Sequence, residues 1–228
     1  MTSTVTRTRS VRSLWRTTIG KKAVMAVTGL IMVLFLILHM LGNLKIFFGS
    51  HDFDGYAAWL RTIGEPALHY SWFLWIQRIV LLVAVVLHIA AAVQLSLRDR
   101  RARPIGYAHG QRPQATFATR TMRYGGVILA LFIVWHLLDL TAGAVNPKGA
   151  NATPYDKVVA DFAPSHWYVT LFYVVAVIAV GLHLRHGIRS AFQTLGHTGH
   201  DRLAAVVSAL LVVGFLAVPA AVTIGWVR

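Results

Sequence analysis

The stretch that decides the fold is residues 166–190, HWYVTLFYVVAVIAVGLHLRHGIRS, an apolar run that ends in a basic segment. A helix needs about 20 apolar residues to cross the roughly 30 Å hydrocarbon core of a bilayer, and this run supplies them. It lacks the alternation of apolar and polar residues that a membrane strand requires. A histidine, His183, stands in it just before Arg185. An ionisable residue at membrane depth indicates a functional site by default.

The composition of the whole chain agrees with a membrane protein. Of its 228 residues, 56% are hydrophobic and 13% are charged, whereas a soluble domain carries about 25% charged residues. The net charge of +14 lies mainly between apolar blocks, which favours orientation in a bilayer over nucleic-acid binding. The absence of cysteine excludes disulfides, thiolate-held iron–sulfur clusters and c-type haem attachment. Histidine, present 11 times, is the remaining candidate ligand for a redox cofactor.

Four further runs resemble the first, so the sequence predicts an all-α integral membrane protein with five transmembrane helices. The predicted spans are residues 22–48, 72–97, 123–145, 166–190 and 203–227. Residues 1–21 are expected to form a cytoplasmic arm before a domain that covers residues 22–228, because the first run is longer than the apolar part of a signal peptide. Pro219 is expected to kink the fifth span without ending it.

The basic residues predict the direction in which the chain crosses the membrane. Most of the 22 lie before span one, between spans two and three, and between spans four and five; these are Arg7, Arg9, Arg12, Arg16, Lys21, Lys22, Arg98, Arg100, Arg101, Arg103, Arg112, Arg120, Arg123, Arg185, Arg189 and Arg202. Segments rich in Lys and Arg stay in the cytoplasm. The N-terminus is therefore predicted to be cytoplasmic and the C-terminus to lie outside.

The first four spans each carry one histidine in the apolar stretch: His39, His88, His136 and His183. With a helical rise of 1.5 Å per residue, counting from the nearest basic residues places them about 25, 15, 20 and 9 Å above the predicted inner face. They form an outer pair, His39 with His136, and an inner pair, His88 with His183. Each pair comes from two parallel helices, which face each other diagonally in a four-helix bundle. Spans one to four are therefore predicted to bind two b haems by bis-histidine ligation.

Other interpretations of the four histidines remain open at this point. Zinc requires three or four ligands that converge on one point, whereas these four histidines are divided between two depths. A transporter or channel could use the histidines as a proton relay. For any single histidine, a hydrogen bond between helices would be a sufficient explanation.

Polar residues near each pair are candidates for binding haem propionates or a quinone. Near the inner pair these are Arg185, His186, Arg189 and Ser190, and near the outer pair they are Arg78, Gln77 and Lys45. For Arg78, snorkelling to the outer headgroups is an equal alternative.

Two acidic residues are candidates for proton handling. Asp139 follows His136 by three residues and shares its helix face, so it could pair with Arg78 or Lys45 or relay protons. Glu65 lies at the outer boundary before span two, where a carboxylate could exchange protons with a quinone. For both residues, a structural ion pair or a solvated loop group is the alternative.

Three motifs resemble a known family. Residues 21–49 (KKAVMAVTGLIMVLFLILHMLGNLKIFFG), 64–89 (GEPALHYSWFLWIQRIVLLVAVVLHI) and 181–196 (GLHLRHGIRSAFQTLG) are similar to the cytochrome b membrane-anchor subunit of succinate:quinone oxidoreductases. The likeness is to the five-helix, two-haem type of bacterial succinate dehydrogenase and fumarate reductase. The surroundings of His136 are less specific.

The resemblance implies partners, a cofactor arrangement and a location. A flavoprotein subunit would carry the succinate site, and an iron–sulfur subunit would deliver electrons from the cytoplasmic side of the bacterial cytoplasmic membrane. In that family the second and fourth spans hold the haem nearer the iron–sulfur subunit, the first and third hold the distal haem, and the quinone is usually menaquinone. The complex could form higher oligomers.

Two points stay open beside this resemblance. A di-haem cytochrome b of a hydrogenase, a formate dehydrogenase or an ascorbate-reducing protein would show different histidine spacings. The basic loop 98–120 could dock the iron–sulfur subunit, or it could serve topology and contact with anionic lipid.

Overall fold

Helices make up the regular structure of the chain. The computed structural model describes residues 15–102 and 115–228, without the side chains of residues 115–121. Its α-helices are α1 Thr18–Asn43, α2 Ser50–Trp59, α3 Trp72–Arg101, α4 Ala115–His136, α5 Pro154–Asp161, α6 Trp167–Thr194 and α7 Asp201–Thr223. Two 3₁₀ turns, Leu44–Phe48 and Pro164–His166, follow α1 and precede α6, and a π-helical turn, Leu137–Thr141, extends α4.

Within the described residues, five helical segments are long and apolar enough to cross a membrane: Thr18–Phe48, Trp72–Arg101, Met122–Thr141, Pro164–Thr194 and Asp201–Thr223. The predicted all-α architecture with five spans is therefore confirmed. The largest difference from the predicted bounds is in the third span, whose helix α4 begins at Ala115 rather than at residue 123. As predicted, Pro219 does not end the last span, since α7 continues to Thr223.

Charged contacts gather the ends of the five spans at one end of the bundle, called here the basic end. The Arg98 guanidinium donates to the Arg16 carbonyl at 2.9 Å and to Thr18 Oγ1 at 3.3 Å, which ties α3 to the start of α1. Ion pairs Arg123–Asp99 and Arg189–Asp201 join α4 to α3 and α6 to α7. The predicted basic residues Arg7, Arg9, Arg12, Arg103 and Arg112 and the side chain of Arg120 lie outside the described residues.

A cap of short helices covers the opposite end, where the sequence predicted only loops. Helices α2 and α5 pack on each other, and the 3₁₀ turn after α1 packs on α7. The cap is fastened by polar contacts: the Tyr155 backbone N–H donates to Asp54, and the Tyr155 hydroxyl donates to the Arg228 carbonyl. Local signals do mark α5, because Thr153 accepts from the Asp156 N–H as an N-cap and Pro154 occupies the first turn.

Helices α1 and α6 each pack against three other spans. Helix α1 packs against α3, α6 and α7, and helix α6 packs against α1, α4 and α7. The backbones of α1 and α4, and those of α3 and α6, make little direct contact and so lie diagonally. Small residues allow the closest helix approaches, because a side chain at Gly181 would overlap Val212 and one at Gly214 would overlap Met40.

The close approach of α7 to α1 can be tested with a Gly214→Val variant. The added side chain would occupy the position of Met40 and force the helices apart, and overpacking of this kind costs about 1–3 kcal/mol. We expect a lower thermal unfolding temperature in detergent. Ala209→Val, on an exposed position of the same helix, should leave it unchanged, and equal effects of the two variants would contradict this packing.

Candidate functional site

The structure brings the two histidines of the outer pair face to face between α1 and the end of α4. The ring centroids of His39 and His136 lie 5.9 Å apart, with the ring planes nearly perpendicular at 84°. Aromatic rings surround the pair: Phe35 stacks on His39 at 5.2 Å, Phe215 lies 5.8 Å from His39, and Tyr173 meets His136 at 6.0 Å. The two imidazoles therefore face each other in an aromatic environment.

The inner pair has the same arrangement between α3 and α6. The ring centroids of His88 and His183 are 6.3 Å apart, with planes inclined at 59°. His88 Nδ1 lies 3.0 Å from the Met25 carbonyl oxygen and 3.3 Å from Thr28 Oγ1. A carbonyl oxygen can only accept, so Nδ1 carries the proton and Nε2 keeps its lone pair. Metal-bound histidines are oriented in this way, by donation from the second ring nitrogen.

Glycines keep space beside both rings of the inner pair. A side-chain carbon at Gly29 of α1 would lie 3.4 Å from His88 Cε1, and one at Gly126 of α4 would lie 3.9 Å from His183 Cε1. Larger residues at these positions would press on the imidazoles from the flanking helices.

The geometry of both pairs fits a metal ion held between two imidazoles. With metal–nitrogen distances near 2 Å, two imidazoles on opposite sides of one ion place their ring centroids about 6 Å apart, close to the separations of 5.9 and 6.3 Å. Nδ1 of His136 and Nδ1 of His183 are buried without hydrogen-bond partners. Within residues 15–102 and 115–228, His, Cys, Asp and Glu form no group of three suited to a metal. Two ligands at each level match the axial positions of haem iron.

The four candidates near the inner pair lie on the last turns of α6. Arg185, His186, Arg189 and Ser190 are all exposed. Arg189 forms an ion pair with Asp201 at 2.8 Å, and His186 Nδ1 lies 3.2 Å from the Leu182 carbonyl.

The candidates predicted near the outer pair lie at the end of the bundle opposite the basic end. The exposed Arg78 guanidinium stacks over Trp75 at 5.0 Å, and the Lys45 ammonium lies over the Tyr56 ring at 5.5 Å. Gln77 is half-buried on α3, and Glu65 is exposed in the turns that lead into α3.

Asp139 has different partners from those considered in the sequence. It is buried in the π-helical turn that follows His136, where it accepts from the Tyr173 hydroxyl at 2.8 Å and from Asn146 Nδ2 at 3.2 Å. The suggested pairing of Asp139 with Arg78 or Lys45 was therefore wrong. The alternative that Asp139 is a solvated loop group was wrong as well. Residues 137–141 pack on α5 and are joined to α6 by the hydrogen bond from Tyr173, which neither helical spacing nor charge pattern indicates.

Asp139 belongs to a buried polar cluster that consists of Asp139, Asn146, Lys157, Asp161 and Tyr173. Asp161, at the end of α5, faces Asp139 and Asn146. Burial, together with the neighbouring Asp139, raises the pKa of Asp161 to about 8. Sequence reasoning missed the other four members, because they come from three separated segments and form no local motif.

The fold defines a multi-pass membrane protein built as a bundle of helices. Residues 100–223, more than half of the chain, match the family described as succinate dehydrogenase/fumarate reductase transmembrane subunit. The chain belongs to this family, so it is the membrane subunit of a respiratory electron-transport complex. Comparison with curated proteins and with solved structures finds no match. The matched residues include His136 and His183, whereas His39 and His88 precede them.

Removal of the Tyr173 hydroxyl tests the buried cluster. In a Tyr173→Phe variant, Asp139 Oδ2 loses its donor, and a buried acceptor left without a partner costs about 1–3 kcal/mol. We expect a lower unfolding temperature in detergent. Tyr168→Phe, on an exposed position of the same helix, should have no effect, and a Tyr173→Phe variant as stable as the wild type would contradict the hydrogen bond.

The raised pKa of Asp161 predicts how stability depends on pH. An unfolded Asp titrates near pH 4, so the folded state binds the proton more tightly. This stabilisation is complete below about pH 4 and is lost as the pH rises through the folded pKa of about 8. We expect the unfolding temperature to fall more steeply across this window in the wild type than in D161N. D156N, which removes an exposed carboxylate from the same helix, should keep the wild-type slope, and equal slopes in all three proteins would rule out a raised pKa.

Proposed function

We propose that this chain is a di-haem cytochrome b anchor that passes electrons from an iron–sulfur subunit to a quinone in the membrane. The observation that carries the proposal is the pair of facing imidazoles at each of two levels, with ring centroids 5.9 and 6.3 Å apart. His39 and His136 would be the axial ligands at the outer level, and His88 and His183 those at the inner level. Each bound haem b would supply one-electron chemistry.

The chain positions these ligands through its helices. The hydrogen bond from His88 Nδ1 to the Met25 carbonyl turns Nε2 away from α1 as a lone-pair donor. His39 is held by the stacked ring of Phe35, one turn earlier on the same helix. The aromatic rings around the outer pair lower the polarity of that site, and polarity is one of the factors that tune the potential of a haem.

Membership of the family supports the partners in the proposed complex. A flavoprotein subunit would carry the succinate site and would oxidise succinate to fumarate or run the reverse reaction. The iron–sulfur subunit would bind at the basic end, nearest to His183 and His88, which would place that end and the N-terminus on the cytoplasmic side of a bacterial inner membrane. The C-terminus would then lie outside. Arg100 and Arg101, at the end of α3, are exposed and available for this contact.

The quinone, menaquinone in the usual case, would bind near the outer pair. Gln77, Arg78 and Lys45 are the candidates for binding its carbonyls or the outer haem propionates, and Glu65 and Asp139 are those for its protons. Arg185, His186, Arg189 and Ser190 are the corresponding candidates for the inner propionates. Exposure of Arg185 and Ser190 at the end of α6 leaves them free to turn toward such a group.

A reduced-minus-oxidised visible spectrum of the purified complex tests the proposal. We expect b-type haem bands with two haems per chain and two resolved redox transitions. His39→Ala should abolish the outer transition and His183→Ala the inner one, because each variant removes one of two axial ligands.

The control for these variants is His51→Ala, which removes an exposed histidine of α2 that belongs to neither pair. It should retain both transitions. A complex without b-type bands would overturn the proposal and would favour a proton-relaying role for the histidines. Loss of the same transition in both His39→Ala and His183→Ala would overturn the pairing.

A further inference from the structure

The buried polar cluster contains two carboxyl groups that share one environment. Asp139 and Asp161 are each only 1% exposed, and they come from the π-helical turn and from the end of α5. The carboxyl groups interact with each other. The π-helical turn packs on α5, and two interacting carboxylates in one buried site cannot both be ionised without a large cost, so a buried pair of this kind holds a proton.

The hydrogen bonds show which member of the pair holds it. Both oxygens of Asp139 already accept hydrogen bonds, Oδ1 from Asn146 Nδ2 and Oδ2 from the Tyr173 hydroxyl. The amide orientation is fixed, because Asn146 Oδ1 accepts from the Lys148 backbone N–H. Asp139 is therefore arranged as a carboxylate. Asp161 Oδ2, by contrast, is buried with no partner among the described residues.

The other charged groups around α5 do not neutralise the pair. The Lys157 ammonium, on the same helix, donates to the Ala150 carbonyl. Helix α2, which packs against α5, contributes the acidic Asp52 and Asp54, and Asp54 accepts from the Tyr155 N–H. On the side of α6, His166 Nδ1 contacts the Ala160 carbonyl. Within the described residues, neither Asp139 nor Asp161 forms an ion pair.

The cluster lies directly beside the outer pair. Tyr173 joins the two, because its hydroxyl donates to Asp139 while its ring meets His136 at a centroid distance of 6.0 Å. Asp139 is also near enough to His136 to interact with it electrostatically. A change of charge at the outer pair will therefore alter the affinity of Asp161 for its proton.

We propose that Asp161 and Asp139 form a proton-holding carboxyl pair in which Asp161 carries the proton and exchanges it with solvent when the charge at the outer histidine pair changes. Loss of one electron there would release the proton of Asp161 to solvent, and return of the electron would let Asp161 take up a proton again, so charge balances at each step. The part of the proposal in which Asp161 holds a proton depends only on the buried polar cluster. The part in which this proton exchanges with solvent during electron transfer rests on the proposed haem-binding function.

Infrared spectroscopy of the full chain in detergent tests the first part without any cofactor. At pH 7 the wild type should show a protonated carboxyl C=O band that shifts in D₂O, against a background of only eight Asp and Glu residues. D161N should lose this band, and the matched control D156N should keep it. The D161N side chain offers an N–H donor where the carboxyl proton was, so the cluster should still fold.

A second variant keeps the test decisive if D161N fails to fold. In D139N the neighbouring negative charge is gone, so the band should disappear at a lower pH than in the wild type. If Asp139 had only a structural role, the band would disappear at the same pH in D139N as in the wild type. Absence of the band in the wild type, or its persistence in D161N, would overturn the proposal.

Redox titration of the complex tests the coupling. The potential of the outer transition should fall as pH rises in the wild type and in D156N, and it should be less dependent on pH in D161N. The inner transition should not change between these proteins. If the infrared band is present but the pH dependence of the outer potential is the same in D161N as in the wild type, the coupling is overturned. A complex without haem bands would instead overturn the proposed function and leave the infrared result standing.

Discussion

Hydrocarbon cannot hydrogen-bond, and the rest of this structure depends on that constraint. At membrane depth each backbone N–H and C=O must be satisfied within the chain, which only helices and closed barrels achieve. Side chains obey the same condition, and the polar ones in the spans meet it in recognisable ways. Thr28 returns its hydroxyl to the Val24 carbonyl, and Ser208 does the same to Ala204. His88 reaches a carbonyl on another helix.

The same constraint explains why the unpaired ring nitrogens of His136 and His183 are informative. Buried polar atoms without partners are rare in folded proteins and call for an explanation. Two such atoms among the described residues belong to histidines that each face a second histidine across a diagonal of the bundle. If no group bound between these rings, the bundle would bear the cost of removing the imidazoles from water without a gain in stability. Apolar side chains of similar size would pack as well.

Much of this arrangement could be predicted from the sequence, and the limits are physical. Length and composition alone identify the spans, and the constant rise of a helix converts sequence position into depth, which is why His39 could be matched to His136 before any coordinates. Depth says nothing about rotation around the helix axis, so the aromatic surroundings of each ring were not predicted. The partners of Asp139 were misjudged because the chain leaves the α-helical path directly after His136. Asp161 was missed because the cap helices have no hydropathy signal long enough to detect.

Each facing pair joins an early part of the chain to a late one. His39 and His88 are supplied by the first two spans, and His136 and His183 by spans that the ribosome makes afterwards. During insertion the first two spans therefore hold one half of both sites and can complete neither. A ligand that bridges each pair would join the two halves, at the outer pair once the third span is in place and at the inner pair only with the fourth. Binding of the cofactor in such a protein would therefore also depend on complete membrane insertion. In truncated chains the sites would stay incomplete, and quality-control proteases would be able to recognise such chains.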